Sequence, residues 1–154
     1  MNSVLEKAWS SFLGPMLQRP KRQQVAALCH REKLGQREFL LITSRNTKRW
    51  IIPKGWPIRG LKSHEAALQE AWEEAGVKSG NASNRPEGTY TYQKVQKTGW
   101  SFPVQTLDYS VAVTELSNEY PEVAERSRKW VSADDAAEMV DEPELQPIFR
   151  EMAA

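Results

Sequence analysis

At 154 residues, with 40% hydrophobic and 27% charged side chains, the chain has the proportions of one soluble globular domain whose core needs no staples. A single cysteine excludes an internal disulfide framework, and no apolar run approaches the roughly 18 residues of a membrane span. The net charge of +1 hides an asymmetry, because residues 19–54 carry ten basic against two acidic side chains and residues 115–154 carry four against eleven.

The elements follow in chain order. Residues 4–17 place Leu5, Trp9, Phe12 and Met16 at helical spacing, which predicts a short amphipathic helix for docking on the body or on a second subunit. The N-terminus has one lysine, Lys7, before a short apolar stretch and no small-residue cleavage site, so no signal peptide is expected and cytoplasm is the expected compartment. The Arg19-Pro20-Lys21-Arg22 stretch reads as a linker, giving an N-terminal segment 1–20 and a domain 21–154. Gln23 to His30 and Arg37 to Ser44 read as a hairpin turning over residues 32–36, and Trp50-Ile51-Ile52 as a third strand. Gly55, Pro57 and Gly60 break regular structure from Pro53 to Lys62. Ser63 then reads as the N-cap of a helix that Gly76 ends. Residues 79–86 are expected to form a loop, Thr89–Val95 and Val104–Leu116 two strands, and Lys129-Trp130-Val131 a last one. Ser132 to Asp135 matches a capping box opening a helix over Ala136 to Val140, and Pro143 is expected to start a final helix. This order implies an α/β fold with a mixed sheet sandwiched between helices.

The chemistry is concentrated in the first long helix. At about 100° per residue, Glu70, Glu73 and Glu74 fall within an arc of roughly 100°, with Leu68, Trp72 and Ala75 expected on the opposite, core side. Like charges at Glu70 and Glu74 (i,i+4) cost a helix a few tenths of a kcal/mol, a cost that a divalent cation between them removes. Mg²⁺ takes oxygen ligands, typically one or two carboxylates plus substrate phosphates. A solvated helix face, with Lys78 pairing Glu74, is the alternative. His30 and His64 have no metal-ligand spacing with each other or with Cys29, whose apolar neighbours mark a packed thiol. Trp50, Trp72 and Trp130 are expected in the core, Trp56 near the site and Trp100 exposed in a hairpin.

The stretch from Gly55 to Val77 resembles the box that defines the Nudix hydrolases, G-x5-E-x7-R-E-U-x-E-E-x-G-U with U aliphatic. Gly55 opens it, Glu70, Glu73 and Glu74 fill its helix glutamates, and Gly76 and Val77 close it. Leu61 stands where the box has its first glutamate, and Gln69 where it has an arginine that orients neighbouring carboxylates. Ala71 replaces a larger aliphatic residue, with Trp72 expected to supply the bulk. The wording Pro-Lys-Gly-Trp-Pro followed by Glu-Ala-Trp-Glu-Glu-Ala-Gly-Val resembles a bacterial branch near the diphosphoinositol polyphosphate phosphohydrolases.

The resemblance implies a Nudix-type α/β/α sandwich and hydrolysis of a phosphoanhydride by water. It implies Mg²⁺, with Mn²⁺ as a possible substitute, on Glu70, Glu73, Glu74 and the carbonyl of Gly55, and Glu70 or Glu73 as the base that takes the water proton. Substrate phosphates would fall to Arg22, Ser44, Arg45, Lys54 and Lys94, with Lys97 and the Arg126, Arg128, Lys129 cluster further out. The expected partner is a phosphorylated small molecule (a diadenosine polyphosphate or an inositol pyrophosphate), with no membrane, no nucleic acid, and a monomer or homodimer. The alternatives are a housecleaning nucleoside triphosphate or ADP-sugar pyrophosphatase, and a Nudix-fold binding module with weak turnover.

Overall fold

The computed structural model describes residues 22–153; the amphipathic helix expected over residues 4–17 and the linker expected before the domain lie outside the described residues. Strand β1 (Arg22–Lys33) turns through Leu34 and Gly35, both at positive φ, into β2 (Gln36–Thr43). Two short strands follow, β3 (Trp50–Ile51) and β4 (Lys54–Gly55), then helix α1 (Ser63–Ala75). Strands β5 (Val77–Val95), β6 (Ser101–Leu116) and β7 (Arg128–Ser132) lead to helices α2 (Ala133–Met139) and α3 (Gln146–Glu151). Among the described residues no helix is long and apolar enough to cross a membrane.

The seven strands form one mixed sheet of order β3-β2-β1-β6-β5, with β4 on β1 and β7 on β2. β1 runs parallel to β6 and antiparallel to both β2 and β4. Strand alternation splits the apolar residues cleanly. Val25, Ala27, Cys29, Leu40 and Ile42 face α1, while Ala26, Leu28, Phe39 and Leu41 face α2 and α3. The mixed sheet between helices expected from the sequence is the fold.

Several local expectations are corrected. Residues 79–86 are strand, not loop, because the long β6 pairs with them through a series of register shifts. β5 is the outermost strand on its side, where Pro86 and bulges are tolerated. Residues 54–55 are likewise strand, since β1 extends far enough past β2 to pair with them. Ser63 is the first helical residue rather than the cap; Lys62 precedes the helix, and Glu65 accepts its backbone N–H at 2.8 Å. The final helix begins at Gln146, because the Leu145 N–H turns back to the Glu142 carbonyl and holds residues 143–145 in a tight turn.

The core face of α1 is made of Ala66, Ala67, Ala71 and Ala75, with Leu68 packed at its edge. Trp72 is half-buried and belongs to neither core cluster, so it does not replace bulk lost at Ala71. Small side chains let the helix axis ride close to the sheet, leaving no room for an indole beneath it. Ser132 caps α2 as expected, its Oγ accepting the Asp135 N–H at 3.1 Å.

Opposite Ala26 on the α2/α3 side lies Asp108, fully buried, its Oδ1 bonded by the Thr106 hydroxyl at 2.6 Å and its Oδ2 without a hydrogen-bond partner. Burial pushes its carboxyl up to about 8 against the opposing pull of Thr106 and Lys54. An unfolded aspartate ionises near pH 4. Between those values the unfolded chain has released a proton that the native one still holds, so stability falls as pH rises across that window. Asp108→Asn removes this component, and the thermal midpoint of the variant should fall less between pH 5 and 8 than that of the wild type in scanning calorimetry.

Candidate active site

Helix α1 and strand β4 meet edge on, and Gly55 lies directly against the Glu70 carboxylate. A Cβ on Gly55 would overlap the carboxylate carbon and both its oxygens, so this approach requires glycine. Glu74, one turn on, is buried; its Oε1 accepts the Lys54 backbone N–H at 3.1 Å. The two carboxylates thus straddle the β4 backbone at the floor of a cleft of about 630 Å³.

The acidic floor raises proton affinity. Burial, then the charges of Glu74, Glu73 and Glu122, push the Glu70 carboxyl up to about 7, with Arg126 opposing them. Burial also raises Glu74, opposed by Arg126 and by the Lys54 N–H and ammonium. A divalent cation would relieve both. Among the described residues no three Asp, Glu, His or Cys side chains converge as a preformed metal cage. The donor set that does converge, Glu70 and Glu74 beside Gly55, suits Mg²⁺, which completes its sphere with water and substrate phosphate. Glu73 does not line the cleft; its Oε1 accepts from the Gln69 side-chain amide at 3.3 Å.

The walls are basic. Arg45, Arg49, Lys54, Lys94 and Arg126 line the cleft with Ser44, Tyr92 and Trp56. Arg45 is over half exposed and sits 3.7 Å from Glu122. Ser44 is engaged within its own turn, its Oγ taking the Arg49 N–H at 3.0 Å and bonding the Thr47 hydroxyl at 2.7 Å. Lys54 shares a sheet face with its register partner Ala26, opposite the face of Gly55, and its ammonium lies 4.8 Å from the Tyr92 ring centroid. Burial lowers it to about 8, against the raising charges of Glu74 and Glu142. Arg22 stacks on Phe102 at 4.2 Å and lies outside the cleft lining. Trp100 is 78% exposed on the β5–β6 hairpin, outside the lining, whereas Trp56 lines the cleft and is 41% exposed. His30 bonds Ser110 at 2.8 Å, a packing role.

Two residues of the β6–β7 loop complete the site and are not part of the box: Glu122 and Arg126. The Arg126 side chain is only 7% exposed and reaches Glu122 at 3.0 Å and Glu74 at 3.4 Å. The sequence marks Arg126 only as part of a basic cluster with Arg128 and Lys129 expected to reach substrate phosphate; in the structure it turns to Glu74 and Glu122 instead, and nothing in the sequence singles out Glu122. Arg128 serves α1 instead of the cleft: it donates to the Ala75 carbonyl at 2.8 Å and to Asn118 at 3.0 Å. With the Glu122 N–H on the Glu73 carbonyl and the Ser117 N–H on that of Gly76, the loop caps the negative end of the helix.

The NUDIX domain family matches residues 20–152. Human diphosphoinositol polyphosphate phosphohydrolase 3-beta is 30% identical over 125 residues, spanning 77% of this chain and 69% of that protein. In structure, the C. elegans Ap4A hydrolase superposes with a TM-score of 0.60 at 21% identity, over 86% of this chain and 96% of that one. The NUDIX domain of Shewanella oneidensis NrtR, complexed with ADP ribose, superposes with a TM-score of 0.61 at 19% identity, over 98% of each chain.

Gly55→Ala should displace Glu70. The expected result is weaker Mn²⁺ binding to the free protein by electron paramagnetic resonance, with unfolding free energy lowered by only about 1–3 kcal/mol, the cost of local overpacking.

Proposed function

The chain belongs to the NUDIX domain family and is a Nudix-type hydrolase, and from that premise we propose that it cleaves, with Mg²⁺, a phosphoanhydride bond in a strongly anionic diphosphate, either a diadenosine polyphosphate or an inositol pyrophosphate. The observation that carries this is the pairing of Glu70 and Glu74 around Gly55 at the floor of a cleft lined by Arg45, Arg49, Lys54 and Lys94. Relatives named diphosphoinositol polyphosphate phosphohydrolases and a structural neighbour named an Ap4A hydrolase support the same substrate class. The preponderance of cations over aromatic faces in the lining supports it too, since Tyr92 already sits beside the Lys54 ammonium.

Glu70, Glu74 and the Gly55 carbonyl would hold the metal, and Mn²⁺ could substitute; Glu73 would join them only by leaving Gln69 and turning into the cleft. Bound there, the ion supplies charge neutralisation for the diphosphate and a lowered pKa for water. Arg45, Lys54 and Lys94 would neutralise phosphate oxygens and set the anhydride in line with the attacking water, with Ser44 as a neutral donor and Arg22 reaching only a long substrate from the rim. Water forms a bond to phosphorus, the bridging P–O bond breaks towards the leaving phosphate, and the water proton passes to Glu70 or Glu73. Glu70 is the better placed of the two, since it lines the cleft while Glu73 faces Gln69.

The test is turnover with Mg²⁺ on diadenosine polyphosphates, inositol pyrophosphates, ADP-ribose and nucleoside triphosphates, read by ³¹P NMR. Hydrolysis of one of the first two is expected, with Glu70→Gln costing about 100-fold or more, the scale of a lost positioned base, and Glu74→Gln lowering turnover through lost metal affinity. Preference for ADP-ribose or nucleoside triphosphates would overturn the substrate class. Binding without turnover on any member would leave a binding module in place of the enzyme.

A further inference from the structure

Gln69 stands at the position where the box carries an arginine that orients carboxylates, and its amide reaches only Glu73. Helix α1 therefore contains no cation of its own beside the Glu70–Glu74 pair. A guanidinium is nevertheless present there, brought from the β6–β7 loop. Arg126 Nη1 donates to the Thr43 carbonyl at 3.0 Å, Nε to Glu122 Oε1 at 3.1 Å, and Nη2 to Glu74 Oε2 at 3.4 Å. The neighbouring backbone is locked to β2 by the Ser127 N–H on Thr43 Oγ1 at 2.9 Å and by the Thr43 N–H on the Ser127 carbonyl at 3.0 Å.

We propose that Arg126 is a positioning residue that fixes the Glu74 carboxylate for metal binding, a task Gln69 cannot perform from within the helix. Glu74 Oε1 is held by the Lys54 N–H and Oε2 by Arg126, so the two contacts together fix the plane of the carboxylate. The rigid fork matters more than the charge. Its nitrogens bind a carbonyl and two carboxylates at once, and lysine, a single point donor, cannot reproduce that geometry. The side chain is buried and already engaged on three sides, which leaves it little to offer a substrate directly.

This inference rests on the metal–phosphate reading of the site, and the test separates the two. Mn²⁺ affinity of the free protein is measured by electron paramagnetic resonance for wild type, Arg126→Gln and Arg126→Lys, at a temperature where all three are folded by circular dichroism. If Arg126 acted by charge alone, removing a cation beside a cation site would tighten Mn²⁺ binding in the glutamine variant and leave the lysine variant unchanged. A positioning role predicts the opposite sign. Affinity should fall by about tenfold or more in Arg126→Gln, the usual cost of losing a residue that orients a ligand, and by several-fold in Arg126→Lys. In turnover the variants should need more Mg²⁺ while substrate KM at saturating metal stays the same. Equal or tighter Mn²⁺ binding in Arg126→Gln, or wild-type behaviour in Arg126→Lys, overturns the role of Arg126. A wild type that binds no Mn²⁺ overturns the metal reading itself.

Discussion

A buried carboxylate holds this architecture together. Glu74 lies beneath the cleft with almost no access to water, and burying an anion is tolerable only when its lone pairs meet donors. Its donors come from elsewhere in the chain: the backbone of β4 and a side chain of the β6–β7 loop. Three segments distant in sequence are thereby brought to one point. The same requirement sets the distance between helix and strand, because Glu74 can take the Lys54 N–H only if α1 approaches β4 closely. Alanines along the core face of α1 and the missing side chain at Gly55 make that approach possible.

The loop that carries Arg126 is held at the far end of α1. Gly76 ends the helix at φ 73°, and a Cβ there would collide with Tyr120 and Arg128, both of which pack over it. Arg128 and two backbone N–H groups then satisfy carbonyls that the last turn leaves without partners. α1 has no basic residue in its own last turn, so Arg128, the first residue of β7, supplies the favourable charge at the negative end of the dipole. Anchoring of the loop and orientation of Glu74 are therefore two ends of one contact surface.

What was legible in the sequence was local. The spacing of Glu70, Glu73 and Glu74, the glycine that ends α1 and the Ser132 cap depend on a few neighbouring residues, and period-2 patterning is enough to sort β1 and β2 between two cores. What was not legible depended on partners far along the chain. Residues 79–86 are polar and hold Gly80 and Pro86, and they are strand only because β6 runs alongside them. Arg126 reads as part of a basic cluster for phosphate and Glu122 as one more acidic residue, until the loop folds back over α1 and pairs them beside Glu74. Its hydrophobicity and helix face point Trp72 to the core, but a helix lying close to a sheet selects small side chains for the contact.

The Pro-Lys-Gly segment shows how strand alternation divides labour within three residues. Pro53 ends one pairing, its carbonyl accepting the Ala27 N–H at 2.9 Å, and the next two residues point to opposite faces of the sheet. Gly55 presents bare backbone to Glu70 on the α1 side. Lys54 sends its side chain to the other side, among Tyr92, Glu142 and Asp108, while its N–H turns back to Glu74. One residue thus contributes a backbone donor to the carboxylate floor and an ammonium to the opposite face of β4. Burial disfavours that ammonium, and the charges of Glu74 and Glu142 counter this by favouring its charged form. A substrate polyanion reaching it would add to the same stabilisation. A lysine so placed would serve as an anchor whose charge its ligand strengthens, and its place in the sheet follows from being one residue before a glycine that has to face the other way.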